Sequence, residues 1–161
     1  MKTAVWIILA VCWIAGAQKC GNVALRGKAT QSSTGHGGVA DRAIDGNRDT
    51  NYHRHSCTHT LHQARPWWSV DLFDEVAVFV VKITNRGDCC WDRFRNATVI
   101  IGNSPHQHSS GKVCGVISAL GAGDTAVLKC NCMKGRFVTV LLGGTGILTM
   151  CEVEVYVNES G

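Results

Sequence analysis

Nine consecutive residues, Asn85-Arg86-Gly87-Asp88-Cys89-Cys90-Trp91-Asp92-Arg93, concentrate most of the reactive functionality of this chain, directly after a strongly apolar run. Guanidinium groups present planar forks of donors that suit paired oxygens on a ligand. Asp88 stands two residues from Arg86 and could hold either arginine in a fixed pose. Cys89 and Cys90 are adjacent, so either they bond to each other as a small strained ring with a sharp turn, or each pairs elsewhere. Arg86-Gly87-Asp88 also spells an integrin-type tripeptide, a match three residues long that chance supplies often.

A second concentration lies upstream. His53, His55, His59 and His62 crowd one polar stretch, and imidazole suits zinc or copper, but no periodic element stands behind them, so solvated loop histidines are the simpler reading. His106 and His108 are read the same way. Asp45-Gly46-Asn47-Arg48-Asp49 begins like a calcium loop, yet Thr50 stands where an EF-hand needs Gly, and Ser56 where it needs a bidentate Glu. Oxygen ligands from that turn could still join a distant carboxylate such as Glu152 around a hard cation. For catalysis the chain offers no Gly-x-Ser-x-Gly, no His-Glu-x-x-His, no phosphate-cradling glycine loop and no evident acid–base pair of carboxylates. It reads as a binding protein, not an enzyme.

The compartment follows from the first residues and the cysteines. Lys2, an apolar stretch at 4–17 and a small-x-small ending at Ala15-Gly16-Ala17 describe a secretory signal peptide over residues 1–17. That run is shorter than the roughly 20 apolar residues a bilayer span needs, and no later run is longer, so no membrane insertion is expected. Cleavage after Ala17 removes 17 of the 161 residues, leaves 144, and predicts one domain over 18–161. Loss of Lys2 leaves 15 basic against 12 acidic side chains, a balance too even for nucleic-acid binding. Of nine cysteines, Cys12 departs with the leader, and an even eight in an exported chain implies disulfides. Zinc is disfavoured because only Cys130-x-Cys132 approaches a knuckle. Sequons at Asn96-Ala97-Thr98 and Asn158-Glu159-Ser160 fit the same route.

The elements that must position these residues are strands. No sustained 3.6-residue period exists, and 18 glycines punctuate the sequence. Short β-rich runs occupy Asn22–Arg26, Trp67–Leu72, Val76–Thr84, Ala97–Ile101, Val113–Ser118, Thr125–Lys129, Arg136–Leu142 and Leu148–Val157. Their spacing predicts an all-β, two-sheet sandwich with little helix. Val76–Val81 is apolar throughout and predicts a central strand covered on both faces. In the last run Cys151, Val153, Val155 and Val157 share one face, while Glu152, Glu154 and Tyr156 share the other. The polar stretch from Gly35 to Arg65 predicts a long ordered loop, with Cys57 available to tie it down.

Taken together, these residues resemble the F-type lectins, the fucolectins typified by eel agglutinin. His59, 26 intervening residues, Arg86-x-Asp88, four more residues and Arg93 reproduce that family's sugar-binding signature. The flanking text agrees along essentially the whole mature chain: 22–32, Ala43-Ile44-Asp45-Gly46-Asn47, Pro66-Trp67-Trp68-Ser69-Val70-Asp71-Leu72 and Cys151-Glu152-Val153-Glu154-Val155. The resemblance implies a jelly-roll sandwich binding α-L-fucose at one end. His59, Arg86 and Arg93 would hydrogen-bond its hydroxyls and ring oxygen, a bonded Cys89–Cys90 pair would pack on an apolar patch, and Tyr52 or His53 would stand near the sugar methyl. Asp88 would orient the arginines. A structural calcium ion would take side chains of Asp45, Asn47, Ser56 and Glu152 with backbone carbonyls of Arg42 and Cys151. Bridges Cys57–Cys151 and Cys114–Cys130 are implied too, which leaves Cys20 and Cys132 for each other.

Two departures mark this chain. The first recognition loop, Ser33–Asp41, is short and glycine-rich, which puts His36 in question, and bulky Trp91 follows the cysteine pair where the family commonly has a small residue. The expected role is recognition of fucosylated glycans on cell or microbial surfaces in innate defence, with agglutination if copies associate into a homo-oligomer. The alternative on the same fold is a discoidin-like adhesion or lipid-binding domain, a class expected to present apolar loop tips, whereas these loops are rich in Gly, Ser and His.

Overall fold

The computed structural model describes residues 21–105 and 110–157. The expected leader over 1–17, Cys20, His106, His108 and the Asn158 sequon lie outside the described residues.

Two long strands organise everything else. β3 (Trp67–Thr84) and β6 (Thr125–Leu142) pair antiparallel from Trp67–Leu141 to Thr84–Thr125, with shifts of register on the way. The four strand runs expected here are therefore two strands, each bent in the middle. Pairing is interrupted between Asp71 and Val76. There the Asp71 carboxylate accepts from the Phe73 amide at 2.8 Å, and Phe73 takes a positive φ of 69°, so the chain kinks without ending its ladder. Opposite, β6 bends at Gly135, where a Cβ would fall 2.5 Å from Ile101 Cγ2. Only glycine lets β6 cross its neighbour there.

The bend passes each long strand from one layer to the other. In the first layer β1 (Lys28–Gln31) pairs with Trp68–Asp71, and β4 (Arg95–Gly102) pairs with Phe137–Leu142, with β5 (Lys112–Ala119) beyond β4. In the second, β8 (Glu152–Val157) pairs with the distal half of β3, and a Cys114–Cys130 disulfide ties β5 back to β6. A minor ladder joins β2 (Gln63–Ala64) to β7 (Thr145–Gly146). Between the layers lies one apolar core that includes Trp68, Val70, Val78, Val81, Ile83, Val99, Val138, Val140, Val153 and Val155. The architecture is the expected all-β jelly-roll sandwich.

Two local expectations need correction, and the polar face of β8, which alternation left unassigned, is covered. Asn22–Arg26 is not a strand: Val23–Arg26 forms a 3₁₀ turn, because the Asn22 carboxamide caps the Ala24 amide at 3.1 Å. β3 around Val76–Val81 is central but covered on one face only, with Phe79 exposed on the other. The polar face of β8 is not a solvent face. Glu152 and Glu154 are buried, because the loop at 45–54 lies over them: the Gly46 amide donates to Glu152 at 3.3 Å, and Arg48 pairs with Glu154.

Candidate functional site

Residues 45–60 are ordered from within. Asp45 accepts from the Asn47 amide (2.8 Å), Asn47 from Asp49 (3.1 Å), Asp49 from Asn51 (2.9 Å) and Asn51 from His53 (3.0 Å). Each Asx side chain thus turns the backbone two residues ahead of it. The Cys57–Cys151 disulfide then pins the loop to the start of β8, and the amides of Thr58 and Thr60 bond Met150 and Leu148 carbonyls at 2.8 and 3.1 Å. This delivers His59, buried, to one end of the sandwich.

The second contributor leaves the end of β3. Buried Asn85 donates to the carbonyls of Trp91, Leu120 and Gly121 at 3.1, 3.2 and 3.0 Å, and its oxygen accepts from the Arg86 amide at 2.8 Å. One side chain closes the 85–91 segment into a loop and fixes it to the neighbouring turn. Cys89 and Cys90 are bonded to each other, and Cys90 sits in the left-handed region at φ 59°. A 3₁₀ turn, Trp91–Arg93, brings Arg93 back toward His59.

The side chains meet around Tyr52. Arg86, only 6% exposed, donates Nε and Nη2 to Asp88 at 2.9 and 2.7 Å, and its guanidinium lies 4.5 Å from the Tyr52 ring centroid. Asp88 also accepts from the Tyr52 amide at 2.9 Å, and the Arg86 fork holds its carboxyl at about 2. The Tyr52 hydroxyl donates to the His36 carbonyl at 2.7 Å, so the short glycine-rich loop does reach the site, through its backbone. The His36 ring also meets the His59 ring edge-on at 4.9 Å. His53 is exposed at the margin, 4.0 Å from Asp88.

His59 has a defined tautomer. Nδ1 lies 2.7 Å from the Thr60 carbonyl and must carry the proton, which leaves Nε2 as an acceptor facing Arg93 Nη1 at 3.4 Å. Burial, and then the positive neighbours, push its pKa below the ordinary histidine value, so the ring is neutral at physiological pH. The loop can press this close because of two glycines. A Cβ on Gly38 would fall 2.6 Å from the His59 amide, and one on Gly35 would fall 2.9 Å from Nδ1. The result is an acceptor nitrogen, guanidinium N–H groups outside the Asp88 pair and a disulfide surface at one end of the sandwich.

Glu152 lies against the loop of residues 45–60, where the Gly46 amide donates to it at 3.3 Å and the Asp45 carboxylate is near enough to act on it. Glu152 is 1% exposed, and its Oε2 is buried without a hydrogen-bond partner among the described residues. Burial, then the nearby Asp45 charge, raise Glu152 to about 8. A carboxylate buried beside another, with an orphaned oxygen, fits a hard cation. Among the described residues no cluster of three His, Cys, Asp or Glu could hold a metal, so a cation here would draw on the mixed donors Asp45, Asn47, Ser56 and Glu152 with the carbonyls of Arg42 and Cys151. In this structure the Ser56 hydroxyl donates to the Asn51 carbonyl at 2.9 Å.

Several expectations separate here. The histidines do not form a metal cluster: His53 and His55 stay exposed while His59 turns inward. The integrin-type tripeptide is not presented, since Arg86 is buried against its own Asp88. Cys132 is exposed and unbonded among the described residues, and Cys20, its expected partner, lies outside them. Sequence reading gave no role to the side chain of Asn85 or to the Thr60 carbonyl. A carboxamide right after an apolar strand was the available signal for the first. Nothing in sequence signals a carbonyl.

A sequence family described as a NedA-like, galactose-binding domain matches residues 42–140. Fucolectin-4 of Anguilla japonica is 49% identical over 141 residues, which cover 83% of this chain and 78% of the relative. The crystal structure of an F-lectin (fucolectin) from the serum of striped bass, Morone saxatilis, superposes with a TM-score of 0.81 at 47% identity over 85% of this chain, which spans only 48% of that longer protein. A fucose-binding module of Streptococcus pneumoniae superposes with a TM-score of 0.76 at 34% identity, over 84% of this chain and 94% of the module. With this identity over most of both sequences, and with the same architecture, the chain belongs to the fucolectin, or F-type lectin, family.

Proposed function

We propose that this domain is a secreted, non-enzymatic lectin that binds terminal α-L-fucose on glycans at the end of the sandwich formed by His59, Arg86 and Arg93. The observation that carries the reading is the convergence of those three side chains beside the Cys89–Cys90 pair, with Arg93 Nη1 3.4 Å from His59 Nε2. A neutral sugar offers hydroxyls that need directional partners and C–H faces that gain from apolar contact. His59 Nε2 accepts one hydroxyl proton, while the N–H groups of Arg86 and Arg93 not already committed donate to neighbouring sugar oxygens. The disulfide surface receives the apolar patch of the ring, and Tyr52 stands beside it.

A calcium ion would stabilise this arrangement by neutralising the buried carboxylate. Held by Asp45, Asn47, Ser56, Glu152 and the carbonyls of Arg42 and Cys151, it would supply the positive charge that the buried Glu152 carboxylate lacks. The biological role is recognition of fucosylated surfaces in innate defence. Association into a homo-oligomer would turn weak single sites into avidity without new contacts.

Val39, Leu61 and Trp91 are exposed in the loops, so the loops are less uniformly polar than their composition suggests, and this favours the lipid-binding alternative as the second reading. The experiment is a glycan array with and without chelator, beside co-sedimentation with phosphatidylserine vesicles. Retention of terminal fucosides supports the lectin; vesicle binding without glycan binding reverses it.

A further inference from the structure

We propose that Asn96 carries an N-linked glycan, and that this glycan covers the exposed apolar edge of the first layer, outside the loop-end site. This holds for the chain read as secreted, whatever the loop end binds. Asn96-Ala97-Thr98 satisfies the acceptor rule, an asparagine two residues before a hydroxyl with no proline between. A three-residue match is common by chance. The place the fold gives this one is what counts.

The Asn96 carboxamide is exposed and uncommitted. Asn22, Asn47, Asn51, Asn85 and Asn103 all engage their side chains in hydrogen bonds. That of Asn96 makes none among the described residues. Its backbone, by contrast, is held. The Asn96 carbonyl accepts from the Gly143 amide at 2.9 Å, and φ is 50°, a left-handed value that asparagine tolerates better than most residues. A Cβ on Gly143 would fall 2.8 Å from that carbonyl oxygen, so glycine lets the two segments close. A glycan rooted on this side chain displaces no contact of the fold. On the five other asparagines it would break one.

The surroundings say what such a glycan does. Ala97 and Val99 point into the core, so Thr98 lies on the outer face of β4. Opposite Thr98 stands Val116, 63% exposed, and Val113 of the same strand is 54% exposed. That strand, β5, ends the strand order of its sheet among the described residues, and Lys112 is its only charged residue. Exposed apolar side chains on a weakly charged terminal strand invite pairing with another chain. A bulky, solubilising glycan rooted one strand away, about 5 Å, reaches over them. Arg93, three residues before Asn96, faces His59 instead, with Nη1 3.4 Å from Nε2. The glycan root and the loop-end site therefore occupy different surfaces.

In the transfer, the carboxamide nitrogen bonds the anomeric carbon of a lipid-diphosphate-linked oligosaccharide. The bond from that carbon to the diphosphate oxygen breaks, the lipid diphosphate leaves, and the nitrogen gives up one proton.

The test expresses the whole chain in insect cells, once with residues 1–17 and once with a foreign leader in their place. Peptides of the total protein are mapped by mass spectrometry before and after amidase removal of N-glycans, which leaves aspartate at an occupied position. Expected are an oligosaccharide on the Asn96 peptide, aspartate there after amidase, loss of both in Asn96→Gln and Thr98→Ala, and retention in Thr98→Ser. Occupancy behind the foreign leader alone upholds the acceptor and removes the leader role of residues 1–17. Unmodified Asn96 in wild type secreted behind the foreign leader overturns the proposal. Light scattering on heating reads the covering role in wild type, with no substitution to disturb the fold. Deglycosylated protein should aggregate several-fold faster than the intact glycoprotein, and equal rates would overturn that role.

Discussion

Arg86 grips Asp88 through two parallel hydrogen bonds of 2.9 and 2.7 Å, although the residues are only two apart and flank a glycine. Gly87 is what makes this possible. Its amide bonds the Thr50 carbonyl at 2.8 Å, and a Cβ there would fall 2.6 Å from Thr50 Oγ1. The fork fixes which guanidinium N–H groups remain for a ligand. Asp88→Asn should therefore weaken fucoside binding by about tenfold, equivalent to one charge-assisted hydrogen bond. Arg86→Lys should bind no better, since an ammonium cannot fork. Titration calorimetry of both variants checks this, and wild-type affinity in Asp88→Asn would remove Asp88 from the site.

The neutral state of His59 sets the pH response. Its pKa is lowered, chiefly by burial, so the acceptor form persists through the ordinary histidine range and is lost only below it. Affinity should stay level from pH 8 to about 6.5 and fall at more acid pH, as protonated Nε2 turns from acceptor to donor beside two arginines. Fold stability follows the same sign. The unfolded chain takes the proton first, near 6.5, so stability falls as pH drops through that value. Affinity against pH, measured with His59→Gln as the reference, reads the effect.

Glu152 gives a test of calcium that needs no sugar. Without the cation its pKa is raised to about 8, so the stability it contributes is present below its ordinary range and lost as pH rises toward 8. Calcium reverses that loss by favouring the charged form. Chelator should lower the unfolding free energy more at pH 8 than at pH 5, the loss at pH 8 being about 3 kcal/mol when calcium exceeds its Kd a hundredfold. Glu152→Gln should be insensitive to both calcium and chelator. An equal response of wild type and variant would contradict the ligand set.

Gly38→Ala should damage the site without touching a ligand group. The new methyl meets the His59 amide at 2.6 Å and the Thr58 carbonyl carbon at 2.9 Å, both backbone atoms that cannot move aside. A stability loss of about 1–3 kcal/mol and a displaced His59 are expected, read by thermal unfolding and by the His59 NMR signals. Unchanged values would mean that the first loop does not position the histidine.

What was legible in the sequence, and what was not, follows from physical range. The fold class was legible because alternation and turn residues are local: Val153 and Val155 point inward as their spacing demands. The bend in β3 was not, since Phe73 takes its positive φ through a contact that its own residue type does not announce. The buried outer face of β8 was hidden for a different reason: its cover is a loop over a hundred residues upstream, through Gly46 and Glu152. At the site, residue types and spacing singled out Arg86, Asp88 and Arg93. What they could not give was the His59 tautomer, which depends on the Thr60 carbonyl.

The central claim is that His59, Arg86 and Arg93 form one acceptor-and-donor set for a methyl-pentose. Its most direct test is calorimetric titration of methyl α-L-fucoside into the mature protein and into the single variants Arg86→Ala and Arg93→Ala, with thermal unfolding run alongside. The account predicts one saturable site per chain in the wild type, and at least a hundredfold weaker binding, about 3 kcal/mol, in either folded variant. Wild-type affinity in a folded Arg93→Ala protein, or no binding by the wild type with calcium present, would contradict it.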